Sequence, residues 1–384
     1  MKKKLLKEVK KSFKTHFKKK PLLVFSPGRI NLIGEHTDYN DGFVFPAATN
    51  KGIALAIQKN DKNKCSVYAL NKGEMYAFDL ADIIPLKDGG WRNYIIGVIA
   101  EIKKTGIQFS ENFDIVFAGD IPAGAGMSSS AALENSVVFG LNNIFNLGLS
   151  KKQMILISQQ AEHNFAGVKC GIMDQYASMF GQKKSALLLD CRTVKSTPFK
   201  IDFKKYKLLL INTNVKHELS ESAYNDRRAV CEEISKRLNL TALRDATLED
   251  LNTIKKDISK EDYLKAQYVI EENNRVQFFA EAIKNDDIAT LGTLIYESHE
   301  GLSTKYQVSC KELDFLVDAT KDNPNILGAR MMGGGFGGCT LNLILKSEIP
   351  KFKKEISERF LKEFKKECSI YQVKLSEGTR IAKK

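Results

Sequence analysis

The sequence lacks any long apolar run. No apolar stretch approaches the ~20 residues that a membrane-spanning helix requires. The first residues, MKKKLLKEVKKSFKTHFKKK, contain no apolar segment of the kind found in signal peptides. These two absences argue against a membrane protein and against an exported one. We therefore expect a cytoplasmic protein with no membrane partner.

Cysteine pairs and zinc-binding patterns are also missing. The seven cysteines are odd in number and widely separated, with no Cys-x-x-Cys pair and no grouping with histidine. This distribution argues against a disulfide scaffold and against a structural zinc site. We expect free thiols, as in a reducing cytoplasm.

The composition that is present is that of a globular chain. Hydrophobic residues make up 43% of the 384 residues and charged residues 27%, both near the averages for folded proteins. Because single domains usually contain roughly 100–200 residues, the length favours two domains. Helices are predicted from about Ser128 to Phe145 and over 151–165, and no helix is predicted in the segment CGIMDQYASMF. Long amphipathic helices are predicted between about 217 and 320. This change in pattern favours domains at 1–195 and 196–384, with the last strand able to return to the first domain.

The positive charge is concentrated at the start of the chain. The formal net charge is +13, and residues 1–20 contain ten lysines and one glutamate. Leu5, Val9, Phe13 and Phe17 recur every four residues, which predicts one apolar stripe on a helix. The favoured interpretation is a helix docked by this stripe with its lysines in solvent. Attachment to nucleic acid or to a membrane surface is the alternative.

A glycine- and serine-rich turn is the sharpest local feature. In GDIPAGAGMSSSAALENSVVFG a predicted strand runs into the turn and then directly into a helix. Backbone N–H groups and the positive end of the helix dipole would converge there, which is typical of a phosphate site. It is not a Walker A loop, because no GxxxxGK[ST] pattern occurs. A serine-capped helix after a flexible turn is the structural alternative.

A second glycine cluster, GGGFGG at 333–338, formally matches GxGxxG. It precedes the strand-like CTLNLILK, whereas a dinucleotide-binding fingerprint opens a helix, so we reject that interpretation. A tight structural turn and a loop that approaches a ligand closely both remain open.

A third segment, SPGRINLIGEHTDYNDG, places Arg29, Glu35, His36 and Asp38 within ten residues. Acids, a base and a cation in one short segment suit a ligand with many hydroxyl groups, because each hydroxyl needs a donor or an acceptor. A metal site is only weakly indicated by one histidine with two carboxylates. A plain polar turn between strands is the other alternative.

These three segments resemble the motifs of the GHMP small-molecule kinases. GRINLIGEHTDYNDG resembles the galactokinase signature, AGAGMSSSAALE resembles the phosphate-binding loop of the family, and GARMMGGGFGGCT is similar to its third motif. Their order and separations also match. The resemblance implies an α+β, two-domain GHMP kinase fold. Its N-terminal lobe would be like the second domain of ribosomal protein S5, its C-terminal lobe a ferredoxin-like α/β sandwich, and its active site would lie between them.

The resemblance also implies roles for individual residues. Asp174 would be the catalytic residue beside the C1 hydroxyl of the sugar, with Arg29 as its partner. Ser130 and Glu162 would hold Mg²⁺, an ion that prefers oxygen ligands. The phosphates of ATP would lie against Gly124, Ala125, Gly126, Met127, Ser128, Ser129 and Ser130. The sugar would be held by Glu35, His36, Thr37 and Asp38, with Tyr224 as a further contact.

The implied activity is transfer of the γ-phosphoryl group of ATP to D-galactose. The expected partners are galactose and ATP, with no nucleic acid, and the expected state is a monomer. A kinase for a related sugar, such as an N-acetylated hexosamine, stays open because sequence does not show pocket shape. A sensor that binds galactose and ATP without catalysis is disfavoured, because such regulators have lost residues of a stretch that is complete here from Ser128 to Ala132.

Overall fold

The computed structural model describes residues 2–216 and 220–382. The first three residues of the predicted helical span 217–320 therefore lie outside the described part. The described helices are α1 Lys2–Phe17, α2 Trp91–Lys104, α3 Ser129–Phe145, α4 Lys151–Ala161, α5 Met173–Phe180, α6 Ser220–Arg237, α7 Leu248–Thr253, α8 Lys260–Lys284, α9 Ile288–Glu300, α10 Lys311–Lys321 and α11 Ile349–Phe364. None of them has both the length and the apolar character to span a bilayer.

The strands are β1 Leu22–Asn31, β2 Phe43–Val44, β3 Pro46–Asn60, β4 Cys65–Ala69, β5 Glu74–Phe78, β6 Asn112–Gly119, β7 Ser185–Asp190, β8 Lys195–Lys200, β9 Tyr206–Lys216, β10 Ile326–Met332, β11 Gly337–Leu345, β12 Ser369–Gln372 and β13 Arg380–Ile381. They form three sheets, of which the six-stranded one has the order β13-β1-β3-β6-β4-β5. Only β4 and β6 run parallel within it. The last strand, β13, pairs with β1, with Phe25 opposite Arg380 and Val24 opposite Ile381, so the chain returns to the first sheet.

The first sheet is covered on both faces. On one face, α2, α3, α4 and α5 bury a large apolar cluster that includes Leu55, Val67, Ile99 and Val137. On the other face lies α1, whose Leu5, Val9 and Phe13 are buried against small and apolar residues of β1, β3 and β6. The apolar stripe predicted for residues 1–20 is therefore docked on the sheet, and its lysines lie on the remaining faces of the helix.

The second lobe is built on a four-stranded antiparallel sheet of order β10-β11-β9-β12. An apolar cluster from β9, α10 and α11 covers part of this sheet, and α8 and α9 pack in a second cluster that also contains residues of β1 and β3. A third sheet, β2-β7-β8, contains the hairpin from Ser185 to Lys200. Because the second cluster joins residues of both lobes, the two are held in one packed body.

Several elements differ from the sequence-based expectation. The helix expected over 151–165 ends at Ala161 and continues as one wider, π-type turn over Glu162–Ala166. The segment CGIMDQYASMF, for which no helix was expected, contains α5. Its periodicity is short and its preceding glycine obscures the start, so only packing against the first sheet reveals it.

Candidate active site

Two adjoining cavities lie where the end of β1, the start of α3, α5 and the glycine-rich segment before β11 meet. The smaller cavity has a volume of about 120 Å³ and is lined by Arg29, Glu35, His36, Asp38, Glu162, Val168, Cys170, Met173, Asp174, Tyr224, Gly333 and Gly334. The larger, of about 270 Å³, is lined by Arg29, Ile121, Pro122, Gly124, Ala125, Gly126, Met127, Ser128, Ser129, Ser130, Gly333 and Gly334. The two cavities share Arg29, Gly333 and Gly334, so ligands in them would meet beside Arg29.

Arg29 and Asp174 form a two-bond ion pair at this junction. The Arg29 Nε donates to Asp174 Oδ1 at 2.6 Å and its Nη2 donates to Oδ2 at 2.8 Å. Ser128 Oγ also donates to Asp174. Burial by itself would lower the pKa of Arg29, but the charge of Asp174 and its hydrogen bond raise the pKa overall. Arg29 is therefore charged, and the two bonds fix its orientation relative to Asp174.

Local structure explains why these two side chains meet. Strand β1 is irregular between Pro27 and Arg29, where it leaves regular pairing with β3, and the Arg29 N–H donates to Met127 O at 3.1 Å instead. This bond ties the strand to the glycine-serine turn. Asp174 lies in the first turn of α5, where a carboxylate is favoured by the helix dipole.

The glycine-serine turn has the geometry of an anion site. Gly124 and Gly126 have φ angles of +66° and +63°, and Ser128 is also left-handed, with φ of +52°. The Ser128 hydroxyl does not cap α3, because it is bonded to Asp174. The first N–H groups of α3 therefore do not donate to the Ser128 side chain. N–H groups at the N-terminus of a helix attract phosphate groups.

A cluster of buried oxygen ligands lies next to this turn. Ser130 Oγ donates to Glu162 Oε1 at 2.9 Å, and Gln175 Nε2 donates to Glu162 Oε2 at 2.8 Å and to Glu134 Oε2 at 3.3 Å. Burial, with the nearby charge of Asp174, raises the pKa of Glu162 to about 7. Burial and the charge of Glu162 raise the pKa of Glu134 well above its usual range. A cation would relieve the cost of burying this negative charge.

The residues fit Mg²⁺ better than a transition metal. No group of three or more histidine, cysteine, aspartate or glutamate side chains in the described chain is arranged to hold a metal ion. Mg²⁺ needs no such group, because it is usually bound by one or two carboxylates together with substrate phosphates and water. Ser130 and Glu162 supply hard oxygen atoms at the edge of the glycine-serine turn, as that binding mode requires.

One carboxylate oxygen of Glu35 is held by two donors. Its Oε1 accepts hydrogen bonds from Arg330 Nη2 at 3.1 Å and from the Gly333 N–H at 2.9 Å. Arg330 is fully buried, and its other N–H groups donate to carbonyl oxygens, including that of Leu32 at 2.8 Å. The second carboxylate oxygen of Glu35 is left for the cavity that this residue lines.

Asp38 is a buried carboxyl with an unusual environment. Burial, with the nearby charges of Asp174 and Glu35, raises its pKa to about 7. Its carboxyl group lies directly against Gly171, where an added Cβ would be 2.2 Å from Asp38 Oδ2. Glycine at 171 therefore leaves the space that Asp38 occupies, although Asp38 lies 133 positions earlier in the chain.

His36 is held in an aromatic cluster. It has a φ of +64°, its Nδ1 lies 2.8 Å from the Tyr39 hydroxyl, and its ring lies 5.3 Å from the ring of Tyr224. Burial lowers its pKa to about 3, so the imidazole is neutral at physiological pH. Its Nε2 is buried and has no hydrogen-bond partner in the described chain, and this residue lines the smaller cavity.

The structure brings together all but one of the predicted site residues. Thr37 is the exception, because its hydroxyl donates to the carbonyl oxygens of Gly34 and Phe43, at 3.0 and 2.7 Å, and it does not line either cavity. These bonds close the turn that carries His36 and Asp38. Its predicted role as a direct sugar contact stays a prediction.

Sequence reasoning missed four residues that shape the site. Arg330, Gly171, Gln175 and Glu134 act on the predicted residues rather than on the cavities. A lone arginine inside the apolar strand GARMM is a signal for a buried ion pair. No comparable signal marks Gly171, because its role depends on a residue 133 positions earlier that packs against it.

Comparison with known protein families gives three matches. The model for the GHMP kinases N terminal domain matches residues 93–182 and that for the GHMP kinases C terminal domain matches residues 279–362. The galactokinase galactose-binding signature matches residues 11–59. The first range contains Glu162 and Asp174, and the last contains Arg29 and Asp38.

Individual proteins resemble the chain over nearly its whole length. The galactokinase of Thermotoga petrophila is 41% identical over 357 residues, which are 93% of this chain and 99% of that protein. The galactokinase of Clostridium acetobutylicum is 37% identical over 378 residues, 97% of this chain and 96% of that protein. The crystal structure of Lactococcus lactis galactokinase complexed with galactose superposes with a TM-score of 0.94 at 32% identity, covering 98% of this chain and 100% of that one.

Proposed function

The chain belongs to the galactokinases of the GHMP kinase family, and we propose that its adjoining cavities hold galactose and the phosphates of ATP on either side of Arg29. Membership makes it an ATP-dependent sugar kinase with the predicted α+β GHMP kinase fold. The reaction transfers the γ-phosphoryl group of ATP to the C1 hydroxyl of D-galactose and yields galactose 1-phosphate and ADP. The roles of individual residues are our proposal.

The observation that carries the proposal is the Arg29–Asp174 pair at the junction of the cavities. Asp174 lines only the smaller cavity, whereas Arg29 lines both. We assign Asp174 to accept the proton of the C1 hydroxyl, which a carboxylate fixed within hydrogen-bond reach can do. Arg29 would keep Asp174 ionised and place positive charge beside the transferring group, where negative charge spreads over the phosphoryl oxygens.

The turn from Gly124 to Ser130 would hold the ATP phosphates through backbone N–H groups and the start of α3. Ser130 and Glu162 would hold Mg²⁺ at the edge of this turn. When bound, that ion supplies the positive charge that neutralises the β- and γ-phosphates. Glu162 also contributes without it, because its bond with Ser130 fixes the first turn of α3.

The smaller cavity would hold the sugar. Glu35 offers a carboxylate oxygen, His36 a ring nitrogen without a protein partner, and Asp38 a carboxyl group with no charged partner of its own. Hydroxyl groups of a sugar can bond each of these, because a hydroxyl is both donor and acceptor. Tyr224 closes the side of the cavity next to His36.

The direct test is phosphorus NMR of purified protein with MgATP and galactose. We expect galactose 1-phosphate, and a panel containing glucose, N-acetylgalactosamine and 6-deoxygalactose measures how strict the cavity is. A folded protein that binds galactose and ATP but forms no sugar phosphate would instead be a sensor. Localisation in the cytoplasm and a monomeric state remain predictions, which fractionation and sedimentation analysis would check.

A further inference from the structure

Five charged side chains form a cluster behind the turn that runs from Glu35 to Phe43, which we call the sugar turn. Arg192 Nε donates to Asp41 Oδ2 at 3.2 Å, and its Nη1 and Nη2 donate to the two carboxylate oxygens of Asp245 at 2.9 and 2.6 Å. Arg244 donates to both carboxylate oxygens of Asp190. None of the five residues lines either cavity.

The cluster joins three separate parts of the chain. Asp41 belongs to the sugar turn, Asp190 and Arg192 lie at the end of β7, and Arg244 and Asp245 lie in a short helical turn at Leu243–Asp245. The last of these belongs to the helical region of the second lobe. The cluster therefore connects the sugar turn to both lobes.

Arg244 also contacts the sugar turn directly. Its Nη1 donates to the backbone carbonyl of Asp41 at 2.9 Å, and its guanidinium lies 4.2 Å from the centre of the Phe43 ring. Asp41 has a φ of +58°, a left-handed conformation that is uncommon for residues other than glycine, although aspartate and asparagine adopt it more readily than most. The contacts with Arg244 hold the backbone of the turn in this conformation.

The sugar turn is held both by its own hydrogen bonds and by contacts from outside. Within it, the N–H groups of Asn40 and Gly42 donate to Thr37 O at 3.1 and 2.9 Å, and Thr37 Oγ1 donates to Phe43 O at 2.7 Å. Asp38 lies between the ends of these bonds and makes no ion pair in the described chain. The contacts that hold the turn from outside therefore also affect the position of its carboxyl group.

The five side chains are only partly shielded from water. The side chain of Arg244 is 17% exposed and that of Arg192 is 36% exposed. Isolated ion pairs at such exposure contribute little to stability, but two-bond ion pairs arranged in a network contribute more. The cluster is thus strong enough to bias the turn, and exposed enough to be altered without unfolding the protein.

We propose that Asp41, Asp190, Arg192, Arg244 and Asp245 position the sugar turn, so that Asp38 meets the sugar at the correct distance. These are positioning residues, because none of them touches the cavity. The inference rests on the proposed role of Asp38 in sugar binding. It predicts that weakening the cluster reduces galactose affinity while ATP binding and the chemical step persist.

The test compares Arg192→Met and Arg244→Met with the matched control Arg237→Met. Arg237 pairs with Glu233 and is 45% exposed, but lies away from the sugar turn. We expect KM for galactose to rise about 3- to 10-fold in the two test variants, with kcat and KM for ATP changed less than about 2-fold. Calorimetry should show the same weakening of galactose binding in the absence of ATP.

Two further variants resolve the individual bonds. Asp41→Asn retains a residue that tolerates positive φ but removes the charge that faces Arg192. Combined with Arg192→Met it should be no worse than Arg192→Met alone, since Arg192→Met already removes the ion pair that Asp41→Asn weakens. Conservative Arg192→Lys keeps the charge without the two-bond geometry, so it should restore part of the affinity.

Hydrogen exchange of the Asn40 and Gly42 amides separates this inference from the proposed function. Exchange at these amides should be faster in Arg192→Met and Arg244→Met than in Arg237→Met, whatever sugar the protein uses. Unchanged exchange in both variants overturns the positioning role even if the wild type phosphorylates galactose. Faster exchange with an unchanged galactose KM overturns the link to Asp38. A wild type that forms no galactose 1-phosphate refutes the function and leaves the exchange result to decide the cluster.

Discussion

The two cavities, which we propose form the phosphate side and the sugar side of the site, are built in different ways. On the phosphate side, one continuous segment from Gly124 to Ser130 supplies the turn, and its side chains are already bonded to Asp174 and Glu162. On the sugar side, Glu35, His36 and Asp38 come from one turn, but their positions depend on Arg330, Gly171 and Tyr224 from elsewhere. The first side is specified by local sequence and the second by long-range packing.

Both sides contain a buried carboxyl group whose pKa is raised to about 7, Glu162 on the phosphate side and Asp38 on the sugar side. In each case burial is the main cause. The partner that would compensate for burial differs, because Glu162 lies beside a hydroxyl and an amide suited to a cation site, whereas Asp38 faces a cavity suited to hydroxyl groups. Burial therefore raises the pKa of one carboxyl group on each side, and we propose that a cation meets the first and sugar hydroxyl groups meet the second.

The largest effect is expected at the junction of the two sides. Asp174→Asn keeps the size of the side chain but removes the proton acceptor, so kcat should fall by at least ~10²-fold. ATP binding, measured by calorimetry, should persist. The exposed Asp82→Asn is the matched control. Near-normal kcat in Asp174→Asn would assign the base to another residue.

The next effect tests the sugar side alone. Asp38→Ala should lower kcat/KM for galactose by about 10²-fold and narrow its advantage over glucose, because a buried polar site rejects a sugar that leaves it unpaired. Glu35→Gln should chiefly affect sugars that carry a C6 hydroxyl. Measurements with galactose, glucose and 6-deoxygalactose distinguish these outcomes. An unchanged ratio between galactose and glucose would contradict a recognition role for Asp38.

A smaller effect tests the packing behind Asp38. Gly171 has no positive φ, so Gly171→Ala adds a methyl group without backbone strain, but the methyl would overlap the Asp38 carboxyl group. We expect the KM for galactose to rise about 10-fold, because the methyl group would displace the Asp38 carboxyl group and weaken its hydrogen bonds with the sugar. Gly140→Ala, in α3, adds a methyl group against the flexible side chains of Leu55 and Ile57 and is the control. Equal KM values in both variants would show that Asp38 does not touch the sugar.

The smallest effect concerns stability and pH. The pKa of Asp38 is raised from 3.8 to about 7 on folding, so the folded protein binds a proton that the unfolded chain releases between these values. Its stabilising contribution is complete below about pH 4 and is lost as pH rises through about 7. The melting temperature measured without ligand should therefore fall between about pH 4 and pH 7, and it should fall more steeply in the wild type than in Asp38→Asn.

The direction in which the melting temperature of Asp38→Asn changes separates a recognition role from a structural role. At pH 8 without galactose, Asp38→Asn should melt at a higher temperature than the wild type, because an uncompensated buried charge is removed. If Asp38 merely stabilised the turn, the variant would melt lower and all sugars would be affected alike. The two measurements, melting and sugar selectivity, therefore decide between these roles.

Much of the phosphate side was predictable from sequence. The turn, the helix after it and their order along the chain are local patterns, and the predicted helix from about Ser128 agrees with α3 at Ser129–Phe145. The apolar stripe of residues 1–20 was equally clear, and Leu5, Val9 and Phe13 are buried. The helix that carries Asp174 was missed, because it is short and most of its support comes from packing.

By itself, the sequence indicated the family and the fold, because its motifs are local patterns that resemble those of a known family. It also named residues that, apart from Thr37, line the two cavities, and their roles stay predictions. Only the tertiary structure decided that Arg29 and Asp174 share two hydrogen bonds, that Thr37 faces the backbone, and that Gly171 leaves room for Asp38. The raised pKa values of Asp38 and Glu162 belong to this second group. They arise from burial among residues far apart in the chain, and burial of that kind is fixed only when the lobes pack together.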